Sequence, residues 1–298
     1  MTFSQLEVFA TLARLGSFSR AAQQLGITQS AVSHALRSLE RELGVLLFSR
    51  ERAAAELTPA GERLLARAHE MNALHEAFLQ DARNARGLHE GVLRIASFGA
   101  TSTLRILPEL LQRFALEHPG IQVFVDEEDD DTVLRWLEER RVEIGFVVLP
   151  DERFETWEVA RDEFVVLLPE SDPLASKPAL QPQDLSGRPF VLSSAGCGEL
   201  IQSRLLAAGA SPDIRYRFPQ MLSMLGFVQQ GMALSVAARF SLPDEFPGVV
   251  FRPLHPVLPR QVGLAVRDMK RLTPAAAAFM ALAKRLYPAP RVFSFPKA

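Results

Sequence analysis

Residues 18–40 read FSRAAQQLGITQSAVSHALRSLE, and this stretch decides the fold of the N-terminal region. The spacing of its apolar residues predicts a short helix at about residues 20–25 and a second helix at residues 29–43. Between them, Gly26 can take the left-handed conformation of a tight turn, and Thr28 is a good N-cap. Ala22 is small enough for the two helices to approach closely. The stretch therefore predicts a helix-turn-helix.

The second helix of this motif has an apolar face and a polar face. We expect the core between the helices to contain Leu25, Ile27, Val32 and Leu36. The outer face carries the predicted DNA-contacting residues, which are Gln29, Ser30, Ser33, His34 and Arg37. Glutamine suits adenine, arginine suits guanine and serine suits either, so this face fits a major groove. The alternative is an ordinary helical hairpin with a polar surface, which the combined pattern makes less favourable.

The composition indicates a folded protein of two or three domains. The chain has 298 residues, of which 48% are hydrophobic and 23% are charged, and its formal net charge is −2. Residues 1–65 contain seven arginines and six glutamates. Since the bulk charge is so small, any affinity for phosphates must come from the local placement of basic side chains.

A single cysteine, Cys197, rules out a disulfide within the chain and fits a reducing compartment. The N-terminus lacks the basic start and long apolar segment of a signal peptide. No apolar run approaches the roughly 20 residues needed to span a bilayer. We therefore expect a cytoplasmic protein without a membrane partner.

Thr58 and Pro59 predict the start of a long helix that continues to about residue 86. Its apolar side chains recur every three or four residues, as in a coiled-coil seam. They are Ala60, Leu64, Ala68, Met71, Leu74, Phe78, Ala82 and Ala85. A small N-terminal domain cannot bury so long a stripe, which favours pairing with the same helix of a second subunit. The alternative is packing against the C-terminal region of the same chain.

After residue 91 the pattern changes to alternating strands and helices. VLRIASF, IQVFVD and VEIGFVVL read as strands separated by amphipathic helices, and a second series begins near residue 163. This alternation predicts a parallel sheet with crossover helices. In such sheets ligands bind beyond the carboxyl ends of the strands.

The stretch FSRAAQQLGITQSAVSHALRSLERELGVLLFSR, followed by LTPAGERLL, resembles the DNA-binding domain of LysR-type bacterial transcriptional regulators. The resemblance continues more weakly through VLRIASFGATSTLRILPELLQRFALEHPGIQV and VQQGMALSVAAR. It implies a winged helix-turn-helix at residues 1–58, a linker and dimerisation helix at 59–90, and a periplasmic-binding-protein-like effector domain at 91–298. Arg50 and Arg52 are expected to contact the DNA backbone from the wing. Ala53 and Glu56 stand where the family often has further basic residues.

The same resemblance implies two effector-domain lobes, lobe I at residues 91–162 and 268–298 and lobe II at 163–267. Hinges are expected near 161–164 and 265–268. It further implies a homodimer or homotetramer on a pseudo-palindromic promoter, with RNA polymerase as another partner. No motif calls for a cofactor or a metal.

Two polar loops are the predicted effector site. Hydroxyl groups and a helix start follow the first strand, and a similar loop, LSSAGCGEL, lies across the expected cleft. Such loops suit a carboxylate or another small anion, although Ser and Thr also commonly cap helices. The predicted effector-contacting residues are Ser97, Thr101, Ser102, Thr103, Val148, Ser193, Ser194, Cys197 and Phe218.

Two other functions remain open at the level of sequence. Cys197 could be the nucleophile of an enzyme in the two-lobed region, or the protein could organise DNA without sequence preference and keep an empty cleft. The acidic run at residues 126–131 could bind a divalent cation, but it lacks the spacing of a calcium loop. We interpret it as a solvated loop between a strand and a helix.

Overall fold

The computed structural model describes residues 1–49, 55–85 and 90–292. The chain divides into two compact units, one formed by residues 1–91 with 138–142 and the other by residues 92–137 with the chain from 143 onward. The first unit is mainly helical, and the second is an α/β structure. The predicted fold class is confirmed.

Four helices build the first unit: α1 (Phe3–Leu15), α2 (Phe18–Leu25), α3 (Gln29–Leu43) and α4 (Pro59–Ala85). Gly26 ends α2 with a φ of 64°, and the Thr28 hydroxyl caps α3 by accepting the Ala31 N–H (3.2 Å). The core of this unit is apolar and includes Leu6, Phe9, Leu12, Ala22, Val32, Leu36, Leu39 and Leu47. The turn chemistry of the sequence thus produces the predicted helix-turn-helix.

The prediction that Ile27 belongs to the core between the helices is wrong, because 41% of this residue is exposed. Its N–H donates to the Ala22 carbonyl (3.0 Å), the hydrogen bond that typically closes a helix ending in a left-handed glycine. Ile27 therefore contributes its backbone to the helix end.

The start of α4 is tied to the segment that enters the wing. The Thr58 hydroxyl accepts the Gly61 N–H (3.0 Å) and donates to the Leu46 carbonyl (2.7 Å). A Cβ on Gly61 would lie 2.2 Å from the Leu47 carbonyl oxygen. The motif TPAG therefore combines a helix cap with a contact that excludes any side chain at position 61.

Lobe I of the second unit is a mixed sheet with the strand order β10-β4-β9-β3-β1-β2. Its strands are β1 (Gly91–Phe98), β2 (Ile121–Glu128), β3 (Ile144–Leu149), β4 (Glu155–Pro169), β9 (Pro259–Val266) and β10 (Arg291–Val292). Its helices are α5 (Gly99–Arg105), α6 (Leu107–Glu117), α7 (Asp130–Glu138) and α10 (Pro274–Leu286). The prediction of a parallel sheet holds for β1 and β3 but is wrong for β9, which runs antiparallel to β3 and β4.

Lobe II is built around the second half of β4, which is buried on both faces. There β4 pairs with β7 (Ser235–Ala238) and β8 (Val249–Pro253). A parallel pair, β5 (Pro189–Ser193) and β6 (Asp213–Phe218), adjoins them, with helices α8 (Gly198–Ala207) and α9 (Met221–Gln229). Short 3-10 helices lie at Pro173–Ser176, Pro182–Leu185, Arg239–Ser241 and Met269–Arg271. Strand β8 was not predicted from the sequence.

The chain crosses between the lobes at two points. β4 pairs with β9 up to Glu163 and with β7 from Phe164 onward, so the first crossing lies within the predicted segment 161–164. The predicted second hinge at 265–268 is wrong, because β9 already pairs with lobe I strands from residue 259. β4 carries the chain into lobe II and β9 returns it, which is why the two strands are antiparallel.

Candidate DNA-binding surface and effector cleft

The predicted reading residues lie on the outer face of α3, opposite its buried side chains. Gln29, Ser30, His34 and Arg37 are exposed, and Ser33 is partly exposed. The Gln29 amide oxygen accepts a hydrogen bond from the Ser19 hydroxyl of α2 (3.2 Å). The Arg37 Nε donates to the Ser33 carbonyl (3.1 Å). These contacts orient two long side chains before they meet any partner.

The two sides of the predicted wing meet in an antiparallel bridge between Phe48 and Leu57. The Glu40 carboxylate, which comes from α3, accepts the Leu47 N–H (2.8 Å) and so ties this segment to the helix. Arg50 and Arg52, the predicted backbone contacts, lie outside the described residues. They remain predictions.

The apolar stripe of helix α4 is buried at its beginning and exposed farther along. Leu64, Ala68 and Met71 pack with the core of the first unit. Farther along the helix, 64% of Leu74 and 72% of Phe78 are exposed. The first unit therefore covers the beginning of the stripe and leaves its continuation in solvent.

The hydroxyl groups after β1 form a buried network of their own. The Ser97 and Ser102 oxygens lie 2.6 Å apart, and those of Ser97 and Thr103 lie 2.9 Å apart. Thr103 also donates to Glu127 (2.5 Å). Ser97 and Ser102 are fully buried, so in this conformation these hydroxyls hold the start of α5. Thr101 differs, because its hydroxyl faces an arginine from β9.

The second predicted loop turns sharply from β5 into α8. The Ser193 hydroxyl donates to the Ala195 carbonyl (2.5 Å), and the Ser194 N–H donates to the Phe218 carbonyl (2.9 Å). A Cβ on Gly198 would lie only 2.0 Å from the Ser193 carbonyl oxygen. The turn brings Cys197 to the N-cap position of α8, where no side chain caps the helix.

Arg260 connects the two predicted loops. Its Nη2 donates to the Thr101 hydroxyl (2.6 Å), and its Nη1 donates to the Cys197 sulfur (3.1 Å). Nη2 also forms an ion pair with Asp162 (2.9 Å), and 2% and 0% of the two side chains are exposed. Asp162 and Arg260 are direct cross-strand neighbours on β4 and β9. Arg260 thus joins a lobe I helix, a lobe II loop and the strand that crosses between them.

Asp162 also ties lobe II to this centre. Its carboxylate accepts the backbone N–H groups of Glu163 (2.8 Å) and Phe240 (3.1 Å). A buried carboxylate needs such compensation, because its removal from water is costly without hydrogen bonds and an opposite charge. The ion pair between Asp162 and Arg260 therefore belongs to the segment where β4 crosses from lobe I into lobe II.

Asp130, at the start of α7, completes the cluster. Its Oδ2 accepts a long hydrogen bond from the Cys197 thiol (3.8 Å). Burial raises the pKa of the Asp130 carboxyl to about 6, against the opposing effect of the Arg260 charge. The interpretation of residues 126–131 as a loop is wrong, because residues 126–128 end strand β2 and Asp130 and Asp131 begin α7. Residues 126–128 are exposed as expected, whereas Asp130 is partly buried.

The cluster brings together only part of the predicted effector set. Thr101 and Cys197 both contact Arg260. Phe218 instead makes an edge-to-face contact with Phe227 in lobe II, with ring centroids 4.6 Å apart. Val148 is partly buried and pairs with Val262 of β9. The other members of the cluster, Asp130, Asp162 and Arg260, were missed at the level of sequence, although the single arginine in the mainly apolar β9 strand was a usable signal.

The described residues contain neither a candidate metal site nor a candidate membrane-spanning helix. Within residues 1–49, 55–85 and 90–292, no group of three or more His, Cys, Asp or Glu side chains could hold a metal ion. Across the same ranges, no helix is both long and apolar enough to cross a membrane.

Comparisons with known proteins agree across both units. Residues 3–62 match the model of the bacterial regulatory helix-turn-helix proteins of the lysR family, and residues 86–287 match the LysR substrate binding domain. The probable HTH-type transcriptional regulator LrrA of Synechococcus elongatus is 35% identical, over 97% of this chain and 98% of LrrA. YvbU, an uncharacterized HTH-type transcriptional regulator of Bacillus subtilis, is 31% identical, over 96% and 99% of the two chains.

Solved structures share the fold over nearly the whole length. A full-length OxyR variant from Pseudomonas aeruginosa has a TM-score of 0.71 at 24% identity, with 95% of this chain and 94% of OxyR covered. Full-length CbnR in complex with its target DNA has a TM-score of 0.66 at 22% identity, with 96% and 99% covered. Both family models and the curated relatives place this chain in the LysR family of transcriptional regulators.

Proposed function

We propose that this regulator reads a pseudo-palindromic promoter site with the α3 helices of two subunits and responds to a small molecule held between its lobes. The proposed reading of DNA is supported by the outer face of α3, where five polar side chains lie opposite the buried Val32 and Leu36. CbnR, a relative in fold, is known in complex with its target DNA. Helix-turn-helix proteins place such a face in the major groove.

Arg37 provides the most direct test of this reading face. Replacing it with alanine is expected to weaken binding to a duplex that the wild-type protein enriches from a random pool, by about tenfold or more, since a good arginine–guanine pair contributes about 1–3 kcal/mol. The matched control is Arg113→Ala, which removes an exposed arginine from α6 of the other unit. Equal affinity of Arg37→Ala and Arg113→Ala in a gel-shift titration would remove Arg37 from the reading face.

Dimerisation through α4 is supported by the exposed Leu74 and Phe78. They continue a stripe whose first part is buried within the subunit, and an exposed apolar stripe on a long helix favours a helical partner. Phe78→Ser is expected to shift the protein toward monomer in sedimentation experiments, whereas Glu76→Ser, at another exposed position of the same turn, is not. A Phe78→Ser protein that sediments like wild type would contradict this role.

The effector part of the proposal rests on Arg260, which reaches groups from both lobes. A ligand that contacts Thr101 on one side and Cys197 on the other would change how the lobes meet. Through linked DNA-binding domains, this change would alter the position of the dimers on DNA and so the access of RNA polymerase. We place the protein in the cytoplasm, where its DNA is.

Enzyme chemistry at Cys197 is the second candidate, and the thiol environment disfavours it. Burial raises the pKa of the Cys197 thiol despite the neighbouring Arg260 charge, so the reactive thiolate is scarce at neutral pH. Turnover of a substrate by wild type, lost in Cys197→Ser, would favour the enzyme. DNA binding without any sequence preference would favour an organising role instead.

A further inference from the structure

Ser19 lies in the first turn of α2, on its exposed side, and contacts the first residue of α3. Its hydroxyl donates to the Gln29 Oε1 (3.2 Å). The cap of α2 is provided by Ser17, whose hydroxyl accepts the Arg20 N–H (3.4 Å). Ser19 is therefore not needed to cap its own helix, and its hydrogen bond reaches the reading helix instead.

The helix-turn-helix itself holds Ser19 and Gln29 at this distance. Gly26 ends α2 with a φ of 64°, and the Thr28 hydroxyl caps α3 one residue before Gln29. A short turn with a defined hydrogen bond at each helix end leaves the two helices little freedom to move apart. The bond between the two side chains is therefore built into the motif before DNA arrives.

This bond decides which end of the Gln29 amide is available to a partner. A glutamine amide has an oxygen that accepts hydrogen bonds and a nitrogen that donates two. The hydroxyl of Ser19 holds the oxygen toward α2, which turns the nitrogen away from α2. In the part of the chain that the structure describes, the Gln29 Nε2 has no hydrogen-bond partner. The reading face therefore presents a pair of N–H donors at this position.

Donors alone distinguish two classes of base in the major groove. Guanine and thymine carry keto oxygens there, O6 and O4, whereas adenine and cytosine carry amino groups, N6 and N4, which are donors themselves. A free glutamine suits adenine because it uses both ends of its amide. An amide held by Ser19 accepts a keto base but meets an amino group donor to donor.

We propose that Ser19 is a positioning residue that sets the base preference of Gln29, so that each half-site carries guanine or thymine where Gln29 reaches the major groove. This inference rests on the proposed function, in which the outer face of α3 reads DNA, and it specifies one position of the site. Because each keto base pairs with an amino base, the preference also fixes which strand carries which base. Ser19 itself needs no contact with DNA.

Arg37 provides a comparison within the same reading face. Its Nε donates to the Ser33 carbonyl of α3 (3.1 Å), so its orientation does not depend on α2. Removing the Ser19 hydroxyl should therefore change the preference at the base that Gln29 contacts and leave the preference at the base that Arg37 contacts. A general loosening of the motif would reduce both preferences.

The experiment uses the full-length protein and the operator that it selects from a random duplex pool. Each half-site position is replaced by all four base pairs, and the affinity for each duplex is measured by fluorescence anisotropy. The positions whose preferences disappear in Gln29→Ala and in Arg37→Ala identify the bases that the two side chains contact. At the Gln29 position we expect wild type to prefer a keto base over an amino base by about tenfold or more, and Ser19→Ala to lower this ratio to about threefold or less.

Two further variants separate orientation of Gln29 from a merely structural role. Ser19→Thr keeps a hydroxyl at this place and should restore the wild-type ratio. Ser19→Ala/Gln29→Ala should show the same preferences as Gln29→Ala alone, because the hydroxyl acts only through that side chain. The preference at the Arg37 position should persist in every Ser19 variant.

Four results would overturn the inference: an unchanged ratio in Ser19→Ala, an amino base at the Gln29 position of the wild-type operator, no position that depends on Gln29, or a uniform loss of affinity for all duplexes in Ser19→Ala. The last result, with a shallower salt dependence, would mean that Ser19 contacts a phosphate. Each of these results requires a selected operator and leaves sequence-specific binding intact. If the wild type selects no operator, the proposed function itself fails, and this inference fails with it.

Discussion

The helix-turn-helix and the effector cleft are built by different routes from the same chain. The first depends on residues close together in sequence: Gly26 ends one helix and Thr28 begins the next, two positions later. The second gathers Thr101 and Arg260 of lobe I and Cys197 of lobe II from segments far apart in sequence. The DNA-reading surface is therefore encoded locally, and the cleft exists only when lobe I and lobe II are both folded.

This difference predicts unequal sensitivity to single substitutions. A local motif distributes its stability over caps, turns and an apolar core, each contributing about 1 kcal/mol. The cleft concentrates charge in a buried ion pair, where the loss of one partner leaves the other uncompensated. Variants in the two regions can test this contrast through their effects on the free energy of unfolding.

Arg260→Met should have the largest effect, because it leaves Asp162 buried without its opposite charge. We expect the free energy of unfolding to fall by about 3–5 kcal/mol. The control, Arg161→Met, breaks a surface pair with Glu158 and should change the free energy of unfolding far less, because solvent screens exposed pairs. In chemical denaturation, equal losses for both variants would show that the cleft does not depend on this pair. Arg260→Met/Asp162→Asn should recover part of the loss.

Two glycines offer a matched pair, one in each region. A Cβ at Gly61 or at Gly198 would meet a backbone oxygen, of Leu47 and Ser193 respectively. We expect Gly61→Ala and Gly198→Ala each to lower the unfolding free energy by about 2 kcal/mol or more. Gly226→Ala is the control, because space is open there within α9, and it should stabilise by up to about 1 kcal/mol. Tolerance of alanine at either packed position would contradict the close approach.

Asp130→Asn should stabilise the protein at neutral pH. The folded-state pKa of about 6 lies above the ordinary value of 3.8, so the wild-type carboxyl favours folding below about pH 4 and loses that contribution as the pH rises through about 6. The variant is expected to unfold with about 1–3 kcal/mol more free energy near pH 7.5, and with no difference near pH 4. Denaturation curves at several pH values measure this, and a constant difference between the proteins would refute it.

Thr28→Ala should produce the smallest change. It removes the hydroxyl that accepts the Ala31 N–H at the start of α3, which typically costs about 1 kcal/mol. Gln24→Ala, an exposed position in α2, is the control and should be nearly neutral. If Thr28→Ala lowered stability as much as Arg260→Met, the proposed contrast between the two regions would be wrong.

The contrast also explains what the sequence could predict. Helix ends, the turn and the long α4 helix follow from caps, glycines and periodicity, which are readable over a few residues. Thr101 and Cys197 were identified as polar residues at helix starts. Their common partner, Arg260, was not identified. Arg260 and Asp162 meet only because β4 and β9 lie side by side in register, and no local pattern specifies that pairing. Ile27 was misplaced because its apolar side chain did not reveal the role of its backbone.

Sequence-specific reading by paired α3 helices can be measured by selecting bound sequences from a random duplex pool with the purified full-length protein and competitor DNA. We expect enrichment of an inverted repeat, whose two halves reflect two α3 helices related by twofold symmetry. Enrichment of a single unrepeated site would contradict the paired arrangement. No enrichment at moderate salt, with or without a carboxylate, would contradict sequence-specific reading by α3.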